Sequence, residues 1–134
     1  VTGKNLFSGR DRFWLDLITT IGEKPIFGYG AGSLPRDTLG ITLSTHSLYL
    51  QVLLQVGFIG LCVLLLALWQ VWLAFRRYPE HPWVRLSGAF FVGILVHQIF
   101  EVSLTQNVLS VGVWQWLVLA FGIATLLSKK KAQQ

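Results

Sequence analysis

Between Leu48 and Phe75 no residue carries a charge. A run of that length is hard to place in a water-soluble fold. At about 1.5 Å of rise per residue, a helix over it exceeds the roughly 30 Å hydrocarbon core of a bilayer, with room for tilt. Two more uncharged stretches follow, Leu86 to Phe100 and Val108 to Leu127. The first is short, but Trp83 and Val84 extend it and Arg85 can snorkel to the interface. The pattern predicts an all-α membrane protein with three transmembrane helices, at about 48–75, 83–100 and 108–127. The composition agrees: 13% of residues are charged, against about 25% in soluble domains. The chain opens at Val1 and holds no Met, which reads as the C-terminal piece of a longer protein.

The flanking charges set an orientation. Arg76, Arg77 and Arg85 lie near the first connection, and Lys129, Lys130 and Lys131 follow the third stretch. Two spans separate these groups, so they share one side, which the positive-inside rule makes cytoplasmic. The connection from Glu101 to Asn107 has no Lys or Arg. It faces outward together with residues 1–45, leaving 46–134 as the transmembrane region with a basic cytoplasmic tail.

Residues 1–45 have a different character. Ser8 and Asp11 fit a capping box. Phe13, Trp14, Leu17, Ile18 and Ile21 then fall on one helical face, with Arg12, Asp16 and Thr19 opposite. Gly22 and Pro25 close this short helix, at about 10–22. The expectation is an amphipathic helix lying at the membrane interface with its apolar face down. A turn-rich stretch, Pro25 to Gly32, leads into a polar loop.

Several residues can carry chemistry. His46 sits where the outer loop meets the first span, and an ordinary imidazole exchanges a proton near neutral pH. It reads either as a proton carrier or as an interfacial His bonded to a helix end. Arg10, Arg12, Lys24 and Arg36 are cations that topology does not require on the outer side. Arg forms bidentate contacts with phosphate. The interleaved Asp11, Asp16, Glu23 and Asp37 offer the other reading, a solvated face in which pairs such as Arg12–Asp16 form. The formal charge of +5 points to anionic lipid or a lipid phosphate rather than nucleic acid, because the basic residues flank apolar runs. Gly28, Gly30 and Gly32 form either an anion-binding backbone nest or a flexible turn. Gln51, Gln55, His97, Gln98 and Gln115 read as bundle-facing polar groups, with His97 and Glu101 on one helix face. Gly57 with Gly60, and Ala89 with Gly93, read as close-packing points between helices. No Cys/His cluster has metal-ligand spacing, and Cys62 is the one cysteine.

An ordered set of these residues resembles the C-terminal part of the O-antigen ligase and polymerase family of bacterial membrane glycosyltransferases. The set is Ser8-Gly9-Arg10 with Trp14, then Pro25-Ile26-Phe27-Gly28-Tyr29-Gly30, His46-Ser47-Leu48-Tyr49-Leu50 and Gly57-Phe58-Ile59-Gly60. Ser47 stands where the family often has Asn, and its hydroxyl can hydrogen-bond in that place. The resemblance implies a multi-pass enzyme of the bacterial inner membrane whose active-site loop faces the periplasm. Its donor would be a glycan on a polyprenyl diphosphate, and its acceptor a glycan, lipid or protein hydroxyl. No metal ion or other cofactor is implied. Arg10 and His46 carry over as catalytic residues, and Arg12, Lys24, Arg36 and Tyr49 are the surrounding substrate-binding candidates. Upstream helices would supply further residues, including another Arg. Two other classes fit the same cations: a lipid-phosphate-binding transport segment, and a non-catalytic membrane scaffold.

Overall fold

The computed structural model describes residues 10–42, 44–105 and 111–132, without the side chains of 10, 11, 111 and 129–132. Ser8 and Gly9, Gln106 to Ser110, and the lysine side chains of the tail lie outside that description. The described residues form helices and no strands: α1 Arg10–Glu23, α2 Pro35–Leu39, α3 Leu48–Arg76, α4 Pro82–His97 and α5 Val111–Ala132. Pro82 opens α4 and Pro35 opens α2, positions where a missing N–H removes no helical hydrogen bond. Gly40 closes α2 in the left-handed region at φ 67°, which a residue without Cβ reaches at little cost.

Helices α3, α4 and α5 pack around one core. Leu48, Phe75, Val84, Phe91, Ile94, Leu119 and Leu126 are buried in it. The Phe75 and Phe91 rings meet edge to face, centroids 5.9 Å apart, a favoured aromatic geometry. Gly122 is the point of close approach. A Cβ there would meet the Ser87 Cβ at 2.6 Å and the Phe75 ring at 2.7 Å, so only glycine lets α5 come this near. The sequence had suggested other points. At Gly93 a Cβ would meet nothing within 4 Å, Ala89 is exposed, and at Gly60 it would meet only Val56 of the same helix.

Among the described residues, α3 alone is long and apolar enough to cross a membrane. Pro82–His97 and the apolar part of α5, Gly112–Ser128, are shorter. The three expected spans are thus one helix of spanning length and two shorter apolar helices.

Helix α3 is not continuous. Gly57 has φ 65° and ψ −163°, which breaks the helix between 48–56 and 58–76. A break strips backbone groups of their helical partners, and these need replacements. Residues 25–30 supply them. The Phe58 and Ile59 N–H groups donate to the Pro25 and Ile26 carbonyls at 2.7 and 3.3 Å. The Leu54 and Gln55 carbonyls accept from the Tyr29 and Gly30 N–H groups at 2.8 and 2.9 Å. The two backbones approach so closely that a Cβ on Gly57 would collide with the Ile26 carbonyl and the Phe27 nitrogen. One on Gly28 would sit 2.7 Å from Gln55 and Gly57 backbone atoms.

This splice brings α1 onto the N-terminal part of α3. Leu17 and Ile21 of α1 are buried with Leu54 of α3, and Phe13 on the same face is buried too. The expectation that this face points into the membrane interface is therefore corrected: the stripe has a protein partner. Ile18 stays exposed, so the buried stripe is narrower than the sequence pattern suggested.

Gly57→Ala forces a side chain into a left-handed, blocked position. It should lower stability by at least about 1–2 kcal/mol from the conformational term alone. Gly93→Ala, in open helix, should be neutral or stabilising by up to about 1 kcal/mol. Thermal unfolding of the purified variants checks this contrast, and equal shifts would argue against the splice.

Candidate functional site

His46 lies in a stretch fixed on both sides. Thr45 is fully buried; its carbonyl accepts from the Trp14 Nε1–H at 2.9 Å, and its hydroxyl donates to the Ser47 carbonyl at 3.2 Å. Just past Ser47, the Leu48 N–H donates to the Gln98 carbonyl at 2.9 Å. Between these anchors His46 adopts φ 48°, the only positive φ at a non-glycine among the described residues. Such a conformation costs on the order of 1–3 kcal/mol and persists where the surroundings over-determine it. The ring keeps 30% of its surface, while Nδ1 itself is buried without a hydrogen-bond partner among the described residues. The exposure of the ring therefore lies away from Nδ1.

Facing Nδ1, at 3.7 Å, is Oε1 of Glu101. The sequence had placed Glu101 on one helix face with His97. Helix α4 instead closes at His97, and the chain turns through residues 98–100. The His97 ring goes to the Ser103 hydroxyl at 3.3 Å, and Glu101 goes to His46. Gln98 holds this turn. Its side chain, fully buried, donates to Ser103 Oγ at 2.9 Å and Gln115 Oε1 at 3.2 Å, and accepts from the Leu104 N–H at 3.0 Å. A buried amide with each polar end engaged is a rigid joint. This one connects α5, the turn and, through its own backbone carbonyl, the start of α3.

Next to the pair is a cleft of about 420 Å³, lined among others by Arg36, Thr42, Ser44, Gln51, Gln55 and Thr105. Ser44 links it to His46, whose N–H donates to the Ser44 hydroxyl at 3.4 Å. Val102, next to Glu101 in the chain, also lines it. Gln51 and Gln55, one helical turn apart, each donate from Nε2 to the Ser33 carbonyl at 3.1 Å. These two glutamines face the polar loop over α3 and not, as their position in an apolar run suggested, the interior of the bundle.

The other candidates divide. Arg10 opens α1, and its side chain lies outside the described residues. Arg12 is exposed, and no Arg12–Asp16 ion pair forms among the described residues. Lys24 is engaged elsewhere, with Nζ 4.6 Å above the Tyr29 ring. The Tyr29 hydroxyl donates to Glu23 at 2.6 Å, and that bond to a carboxylate raises the phenol above its usual value of 10.0. Arg36 is on the cleft, beside Asp37 at 3.6 Å. The Tyr49 hydroxyl donates to the Leu95 carbonyl at 3.0 Å, so it ties α3 to α4. The glycine run is not an open nest: although Gly28, Gly30 and Gly32 all have positive φ, the Tyr29 and Gly30 N–H groups are spent on α3. Among the described residues no three of His, Cys, Asp and Glu converge as a metal site would need.

The fold thus sets His46 and Glu101 near a cleft of mixed polar and apolar lining that carries Arg36. Comparison with known proteins adds no assignment: no family model, curated protein or solved structure matches the chain.

The strain at His46 has a measurable sign. His46→Gly should be more stable than His46→Ala by about 1 kcal/mol, because glycine takes positive φ freely. Chemical denaturation of the two variants measures the difference, and the reverse order would contradict the left-handed backbone.

Proposed function

We propose that this chain is part of a multi-pass membrane glycosyltransferase of the O-antigen ligase or polymerase type. It would transfer a glycan from a polyprenyl diphosphate to an acceptor hydroxyl, with no metal or other cofactor. The observation that carries the reading is the placement of His46: a strained, partly exposed imidazole near a cleft with glutamines and an arginine in its wall.

The membrane setting is supported by α3 and by the apolar residues left bare on three helices, among them Leu66 and Trp69, Phe90 and Val96, and Trp114 and Phe121. Apolar surface of this extent is unusual on a soluble monomer. Arg76 ends α3 at the end opposite His46. With that end cytoplasmic, the cleft lies on the periplasmic side of the inner membrane.

The chemistry follows from the groups. The acceptor hydroxyl is a weak nucleophile at neutral pH, and the exposed side of the His46 ring takes its proton during attack. A new C–O bond forms at the anomeric carbon with inversion. The bond from that carbon to the diphosphate oxygen breaks, and the diphosphate keeps the electron pair. Arg36, with Arg10 and Arg12 of α1, neutralises this leaving charge. Lys24 and Tyr49 have intramolecular partners, which makes them weaker candidates for substrate contact. Helices from the rest of a longer protein would complete the site.

The test is in vitro transfer from a purified polyprenyl-diphosphate glycan by the full-length protein. His46→Ala should slow transfer by about 10²- to 10⁴-fold while donor binding, measured separately, is retained. Donor binding without transfer in the unaltered protein would favour a lipid-phosphate transport segment. Tolerance of changes at both His46 and Arg10 would favour a scaffold.

A further inference from the structure

We infer that Glu101 is a positioning residue for His46: its carboxylate accepts a hydrogen bond from Nδ1–H, so that the opposite ring nitrogen, Nε2, is the proton acceptor. The inference rests on the proposal that His46 is the base.

Three observations carry it. The first is an unmet demand. His46 Nδ1 is buried and has no hydrogen-bond partner among the described residues, and a buried polar atom without a partner is costly. The atom facing it is Glu101 Oε1 at 3.7 Å. That is longer than a hydrogen bond, and such contacts often tighten only when substrate fills a site. The Glu101 side chain is 46% exposed and so has room to swing.

The second observation is the frame around the pair. Glu101 follows the turn whose Gln98 is fully buried and engaged at both ends of its amide. The same Gln98 accepts the Leu48 N–H through its carbonyl. One residue therefore sets both the turn bearing Glu101 and the helix start that follows His46. The third is the direction of the ring. With Nδ1 turned to the protein, its exposed side is left for the acceptor. A neutral imidazole carries one N–H, and the partner of one nitrogen decides which nitrogen is free to accept a proton.

The balance is simple. During transfer the acceptor O–H proton moves to Nε2 and the ring becomes an imidazolium. Glu101 stays a carboxylate, and its negative charge beside Nδ1–H stabilises the cation as it forms. The acceptor oxygen bonds to the anomeric carbon, and the diphosphate leaves with its electron pair. In this role Glu101 acts through His46 and on neither substrate, so its removal should affect turnover and not donor binding.

A double-mutant cycle in the full-length protein tests this, with kcat, donor KM and thermal stability measured for each variant. Glu101→Ala should lower kcat by roughly 10- to 100-fold with donor KM and stability little changed, and Glu101→Gln, which keeps an acceptor oxygen but loses the charge, should recover part of the loss. In a His46→Ala background, Glu101→Ala should cost less than about twofold more, since residues acting as a unit are not additive. Full multiplicative losses in the double variant, or a kcat near that of the unaltered protein in Glu101→Ala, would overturn the role of Glu101 while leaving His46 as base. Normal kcat in His46→Ala alone would overturn both.

Discussion

The structure turns on a splice between two backbones. At Gly57 helix α3 breaks, and the segment from Pro25 to Gly30 enters the gap with two donors and two acceptors. A helix broken in apolar surroundings is viable only where its freed polar groups find protein partners. Here the partners come from residues more than twenty positions earlier in the chain. This explains why the positions at the crossing are glycines. Gly28 and Gly57 have positive φ, and each faces the other segment's backbone at a distance that excludes a Cβ. The 58–76 part of α3 alone still measures on the order of 28 Å at about 1.5 Å per residue, so the break leaves a segment close to membrane-spanning length.

The splice also shapes the site. It lays α1 against the N-terminal part of α3, where Leu17 and Ile21 are buried with Leu54. From α1, Trp14 reaches the Thr45 carbonyl and pins the residue before His46. From the other side, Gln98 pins Leu48. The unusual backbone of His46 is thus set by two independent elements. The cleft forms in the same place, because Gln51 and Gln55 of the first segment of α3 bind the loop at Ser33 rather than other helices.

Much of the architecture was legible in the sequence, because apolar runs and their breaks are local signals. The uncharged run from Leu48 and the 3.6-residue pattern over Phe13, Leu17 and Ile21 are of this kind. What the pattern did not show was the partner of that stripe. Periodicity marks a buried face and is silent on whether lipid or protein covers it. The break at Gly57 left only a glycine within an apolar run, which equally fits helix packing. The pairing of His46 with Glu101 was not readable, since it depends on α4 stopping at His97 and on a turn set by the long-range contacts of Gln98. Among the cations, composition ranked Arg12, Lys24 and Arg36 alike. The fold separates them, with Lys24 on an aromatic ring and Arg36 at the cleft.

The central claim is that His46 takes a proton, as opposed to merely holding its neighbours in place. Replacing it with glutamine separates the two, since Gln can hydrogen-bond but does not accept a proton in the physiological range. The direct measurement is the single-turnover rate of glycan transfer from polyprenyl diphosphate by full-length His46→Gln, at donor saturation. If His46 is the base, Gln should be as slow as Ala, about 10²-fold or more below the unaltered protein. A rate close to that of the unaltered protein would contradict the account and leave His46 a structural residue beside the cleft.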